Sequence, residues 1–326
     1  MAEERTASFP GRVVCLGIMV ADVVARPVID LPERGRLTLV DQMELHTGGC
    51  AVNTGISLAK IGVDVSVLGA VGADGFGDFV ISELEKYKVD ARGVRRKSGV
   101  NTSATMVMVD ADGERRFLHY LGANAKLSED DVDLTVVEGA RILHIAGALV
   151  MPGIDGEPTA RVLKRAKGMG LTTSYDTVWD AKGNWMRLVE PCLPYIDVML
   201  PSLAEAQMIT GKTLPQDVAQ VFMSYGVSIV GLKMGEEGSY VRSKDDELFV
   251  PPYIVKAVDA TGAGDAYAAG FLTGLIQGWE LEKTARFANA VGALCVTAVG
   301  ATTGIRSLQE TLDFMANIPV RSIERP

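Results

Sequence analysis

Val258-Asp259-Ala260-Thr261-Gly262-Ala263-Gly264-Asp265, running directly into Ala266-Tyr267-Ala268-Ala269-Gly270-Phe271-Leu272, is the stretch whose reading decides the fold. Upstream, 249–258 is rich in valine, isoleucine and tyrosine with paired prolines, which suits an edge strand. Downstream, small and apolar residues continue at helical spacing to Gln277, and Gly278 is placed as a C-cap. The glycines therefore fall at a predicted strand-to-helix junction. Glycines there let a ligand approach the backbone and leave free N–H groups at the helix start, an arrangement that binds phosphate. Asp265 does not belong in a simple phosphate cradle, because its carboxylate repels the anion. It makes sense if it takes a proton from an attacking hydroxyl. The competing account is an ordinary turn with Asp265 as a capping residue. A dinucleotide loop is excluded because Tyr267 stands where the third glycine belongs, and a P-loop because no Gly-Lys-Ser/Thr follows.

Outward from that loop, the 326-residue chain has a net charge of −9 and 48% apolar residues, with only 6% aromatic. The acidic balance argues against a nucleic-acid partner, and Arg95-Arg96-Lys97 reads as a solvated turn. No signal peptide is read at Met1-Ala2-Glu3-Glu4-Arg5, and the apolar run 142–151 is too short to span a bilayer. Cys15, Cys50, Cys192 and Cys295 are scattered and His46, His119 and His144 isolated, which predicts buried thiols, a cytoplasmic protein and no zinc site.

The hydrophobic rhythm predicts strands over 12–18, 63–71, 142–145, 172–175, 198–200 and 229–232. Helices are predicted from 50 to 60 and over 77–88, 157–169, 203–209, 217–225, 281–297 and 308–315. This alternation implies an α/β fold with a doubly wound, mostly parallel sheet, in a single domain over 1–326. Segments 20–47 and 103–121 break the rhythm, the second as a hairpin around Asp110-Ala111-Asp112-Gly113, and predict a small antiparallel β lid. Gly48-Gly49 with Asn53 marks a second loop-to-helix junction, and Asp22 follows the first strand. Lys233-Met234-Gly235-Glu236-Glu237-Gly238 offers a backbone ledge or merely a turn. The relaxed Walker pattern 206–213 lies inside a helical segment, with Gly211 as its C-cap, and is rejected.

Gly48-Gly49-x-Ala51-x-Asn53, Gly69-x-x-Gly72-x-Asp74-x-x-Gly77 and Asp259-x-Thr261-Gly262-Ala263-Gly264-Asp265 together resemble the ribokinase-like sugar kinases, the phosphofructokinase-B family, over nearly the whole chain. The resemblance implies an α/β fold with a β lid and transfer of the γ-phosphate of ATP to a sugar or nucleoside hydroxyl. It implies Asp265 as general base, with the amides of Gly262, Ala263 and Gly264 as anion hole. The helix dipole is expected to keep Asp265 ionised, as a weak base. Asp22, Gly48, Gly49, Asn53 and Asn124 would meet the substrate, and Lys233, Gly235, Gly238 and Asn289 the nucleotide. Glu205 would organise Mg2+ through water, and Asp259, Thr261, Cys295, Ala298, Gly300 and Gly304 a monovalent cation, K+.

Two departures stand out: Ser202 replaces the asparagine of an Asn-x-x-Glu motif, and Ala146-Gly147 replaces a sugar-reading glutamate, which makes ribose itself less expected. Arg115, Arg116, Asp176 and Trp179 could also read the substrate, although a solvated hairpin accounts for the arginine pair. Val23, Val24, Val28, Ile29, Leu37 and Leu39 make the lid apolar enough to predict a homodimer through it. The alternatives are a nucleoside kinase of the same fold and, from another class, a non-catalytic sugar- or nucleotide-binding regulator.

Overall fold

The computed structural model describes residues 11–136 and 139–321, so the charged stretch 1–5 lies outside the described residues. The strands are β1 (Arg12–Gly17), β2 (Val20–Arg26), β3 (Gln42–Gly48), β4 (Asp64–Gly72), β5 (Asp90–Lys97), β6 (Ala104–Val109) and β7 (Arg115–Tyr120). They continue with β8 (Ala140–Ala148), β9 (Thr172–Thr177), β10 (Val198–Met199), β11 (Ile229–Lys233), β12 (Ser239–Arg242) and β13 (Glu247–Val250). The helices are α1 (Cys50–Ile61), α2 (Gly75–Lys86), α3 (Glu157–Gly168), α4 (Met186–Val189), α5 (Leu203–Thr210), α6 (Pro215–Ser224), α7 (Ala263–Ile276), α8 (Leu281–Cys295) and α9 (Leu308–Asn317).

The main sheet has nine strands in the order β13-β12-β11-β10-β9-β8-β1-β4-β5. All neighbours are parallel except at the β11-β12-β13 edge, where hairpins run antiparallel. Its apolar strands are covered on both faces, and β1 shows how. Val13 and Cys15 pack with α1, α7 and α8 residues such as Ile56, Leu272 and Phe287, whereas Val14 and Leu16 join the cluster of α3 and α6 residues such as Leu163 and Phe222. Successive side chains of a strand point to opposite faces, so a continuous apolar run serves two helical layers at once. The chain winds to one side of β1 through β4 and to the other through β8, and this reversal opens a crevice at the carboxyl ends of the strands.

The second sheet has four strands in the order β3-β2-β6-β7. Its outer pairs are antiparallel, while the central pair β2/β6 is parallel, because the two halves of the lid come from separate excursions off the main sheet. The Gly69–Gly77 motif anchors the second excursion. Asp74 accepts from the amides of Gly77 (2.9 Å) and Thr102 (2.8 Å), capping α2 while fixing the segment that leads into β6.

Two local expectations fail. Arg95-Arg96-Lys97 is the end of edge strand β5, its side chains paired with Asp133, Asp78 and Asp131. Charge hides an edge strand from a hydrophobic pattern, since one rim faces water. The predicted strand 249–258 ends at Val250, because Pro251 and Pro252 lack the N–H a ladder needs. A loop, not a strand, therefore leads into α7.

Candidate active site

Asp265 lies in the first turn of α7, whose N-cap Gly262 has φ +77°. A Cβ on Gly262 would lie within 2.7 Å of Ala301 atoms, so the αL turn and the close packing both require glycine there. The first amides of a helix have no partner within it. Ala263 already donates to Ala260 at 3.2 Å, which leaves Gly262 and Gly264 as the better-placed anion donors of the expected three.

Asn53, on α1, donates to Asp265 Oδ2 at 2.8 Å across 212 residues of sequence. Both side chains are buried, Asn53 at 5% exposure and Asp265 at 9%. The remaining atom, Asn53 Oδ1, is buried without a partner and therefore lacks a donor. Burial raises the Asp265 pKa above its ordinary 3.8, outweighing the Asn53 hydrogen bond. Desolvation thus works against the helix dipole, in the direction of a stronger proton acceptor.

Beside the anion loop, Lys233 ends β11 and lies 3.3 Å from where a Gly264 Cβ would be. Its Nζ donates to both Asp176 oxygens at 2.7 Å. Burial pushes Asp176 up to about 7 against the pull of Lys233, with Glu205 adding to the rise. Asp176, considered above as a substrate reader, is thus the partner of Lys233. A charged residue ending an apolar strand is the sequence pattern that marks both.

Ser202 and Glu205 form a capping box on α5, which explains the serine in terms of helix geometry. Glu205 Oε2 also accepts from Thr177 Oγ1 at 3.0 Å. Among the described residues no His, Cys, Asp and Glu cluster could hold a metal.

Lys233, Gly235, Gly238 and Asn289 line one cavity of about 370 Å³, together with Ala263 and Gly264 of the anion loop. Asn289 contributes less freely than expected: its amide NH2 donates to Val250 O (3.0 Å) and Pro251 O (3.1 Å), clamping the end of β13.

At the lid, Gly48 abuts Asp22, whose carboxylate oxygens fill the space a Cβ would need. Asp22 heads a row across all four strands: His46 opposite on β3, Thr105 on β6, and His119 opposite Thr105 on β7. Burial raises the Asp22 pKa, opposed by Thr105, His119 and His46. Asn124 does not face a substrate. It is 1% exposed, and its amide accepts from Met19 N (3.1 Å) and donates to Met19 O (3.0 Å), holding the β1–β2 connection.

The six expected cation ligands do converge. Asp259 accepts from Thr261 N and Gly300 N, each at 2.9 Å, and the Cys295 thiol contacts Thr261 O. Ala298 N donates to Cys295 O, and a Cβ on Gly304 would crowd that same carbonyl. However, Arg115 of β7 donates to Asp259 Oδ1 at 2.8 Å and also contacts Thr261 Oγ1. The sole carboxylate of the set is therefore neutralised, and a bare monovalent cation does not fit beside the guanidinium. Arg115 is an exposed residue of the β6–β7 hairpin that also reaches Asp259, and a partner 144 positions away leaves no trace in local sequence.

The fold and this site define a phosphotransferase acting on small hydroxylated molecules, and comparison with known proteins agrees. Residues 11–308 match the family described as pfkB family carbohydrate kinase, and the chain belongs to that family. It is 26% identical over 296 residues to a Bacillus subtilis 2-dehydro-3-deoxygluconokinase, covering 87% of this chain and 91% of that one. A Thermotoga maritima ribokinase superposes with TM-score 0.82 at 26% identity, covering 94% of this chain and 100% of that one. An Arabidopsis thaliana ribokinase complexed with ribose and ATP gives 0.81 at 25%, covering 94% and 98%.

Proposed function

We propose that this carbohydrate kinase transfers the γ-phosphate of ATP to a sugar hydroxyl, with Asp265 as the general base. The observation that carries this is the buried Asn53–Asp265 pair, which sets an acceptor carboxylate between the anion loop and an unpartnered Asn53 Oδ1. A sugar hydroxyl entering there donates its proton to Asp265 while its oxygen attacks the phosphoryl group in line. The Gly262 and Gly264 amides stabilise charge on the transferred group. Mg2+ on the phosphates, steadied by Glu205 through water, neutralises further charge. The ATP that accompanies ribose in the Arabidopsis relative supports the choice of donor. A pure binding regulator has no use for a buried base, and a nucleoside acceptor is separated from sugars by a substrate panel. The four free thiols accord with a reducing, cytoplasmic setting.

Asp265→Asn is expected to lower sugar-dependent ADP release by about 10²–10⁴-fold. Undiminished turnover would remove Asp265 from the mechanism. Because burial raises the Asp265 pKa, the accepting form is lost as pH falls through that raised value. The acid limb of kcat should therefore lie above the range of an ordinary carboxylate.

The lid supports a homodimer. On its face away from Asp22, Leu45, Val23, Met106 and Leu118 form a cross-strand row, flanked by the exposed Met43 and Tyr120. Ile29, Leu37 and Leu39 are also exposed, whereas Val24 shares the Asp22 face. A dimeric mass by light scattering that becomes monomeric in Met106→Glu is expected; a monomeric parent refutes it.

A further inference from the structure

We propose that the acceptor is an uncharged, polyhydroxylated sugar rather than a sugar acid or a sugar phosphate. This rests on the kinase reading above and concerns only which acceptors that site admits.

An anion buried beneath a lid needs a cation or several donors to replace its water, and the cations of the site and lid face named below, among the described residues, are already paired. Lys233 is held by Asp176 on both oxygens. Arg115, on the lid face that carries His119, is held by Asp259. On the same face, Arg26 and His46 share Glu44, at 3.8 Å and 3.1 Å, and Arg26 donates to Gln42 as well. His119 is kept toward its neutral form by burial and has one ring nitrogen 3.1 Å from Thr105 Oγ1. Arg116 lies on the opposite face of β7.

What remains unsatisfied has the other polarity. Asn53 Oδ1 is a buried acceptor without a donor, the Asp265 carboxylate is beside that side chain, and the Asp22 carboxylate packs against Gly48 in the loop that opens α1. Such a surface calls for O–H donors. Hydroxyls supply them, whereas a carboxylate or phosphate brings more acceptors and a charge that Asp22 and Asp265 repel when ionised. The row His46–Asp22–Thr105–His119 lets the lid read several hydroxyls at once, since each strand contributes one polar side chain to the same face.

The test uses the full chain with ATP and Mg2+, measuring ADP release on matched pairs: fructose with fructose 6-phosphate, ribose with ribose 5-phosphate, and glucose with gluconate. A neutral member is expected to exceed its charged partner in kcat/KM by about a hundredfold or more. Asp22→Asn should lower that ratio at least about tenfold, by weakening the neutral sugar and relieving repulsion of the anion. Preference for any charged member overturns the proposal. If no sugar turns over, the kinase reading falls on its own, and calorimetric binding of the same pairs still decides charge preference.

Discussion

The two ends of the site are built from different materials. The proposed nucleotide end is built around backbone: the glycines and first amides of α7 and the Gly235–Gly238 turn, in a cavity whose wall comes from the same C-terminal third of the chain. The proposed sugar end is made of side chains from distant parts of the sequence, Asp22, His46, Thr105 and His119 on the lid sheet and Asn53 on α1. Backbone amides recognise what all nucleotide donors share, a chain of phosphates. Side chains distinguish among acceptors. One fold can thus keep a reaction while its substrates change.

Three substitutions sharpen that contrast. The largest effect is expected at the backbone end, where Gly262→Val places a β-branched residue at φ +77° against Ala301. Turnover should fall by about a hundredfold or more as the amides lose their aim, and stability by roughly 1–3 kcal/mol. Rates with a saturating sugar and a thermal melt check both. A smaller and selective effect is expected at the sugar end. In Gly48→Ala the added methyl meets the Asp22 carboxylate, which should raise sugar KM about tenfold, the scale of ~1.4 kcal/mol, with little change in KM for ATP. Equal changes in both would break the division of the site. The smallest concerns the contact that joins the ends. Arg115→Ala removes the guanidinium from Asp259, and a loss of a few-fold is expected for one partly exposed pair. The variant, but not the parent, should then be stimulated by K+, measured by ADP release in potassium against a bulky organic cation.

Much of the fold was legible because its cause is local. Apolar runs of strand length, helical periodicity and glycine stops such as Gly62 and Gly211, both in the αL conformation, give nearly every buried element. The missed pieces include the short buried strand β12 and two in which another force sets the conformation: β5, whose charges suit an edge rim, and the loop 251–262, cut from its strand by two prolines. The Gly262–Gly264 loop, the Gly48-Gly49 junction before Asn53 and the Gly235–Gly238 turn were legible as motifs, since glycine spacing records where a backbone must bend. Asn124 holds Met19, and Asn289, although it lines the cavity, also clamps the end of β13: an asparagine that holds a carbonyl and one that holds a ligand look alike in sequence.

The sequence by itself determined the architecture, the glycine-rich loop that opens α7 and the carboxylate that follows it, because helix starts, turns and apolar periods are properties of neighbouring residues. The tertiary structure alone decided which charges remain free. Lys233 with Asp176, Arg115 with Asp259 and Asn53 with Asp265 are pairings across 57, 144 and 212 residues. Burial and distance settle those pairings, and both exist only once the chain has folded.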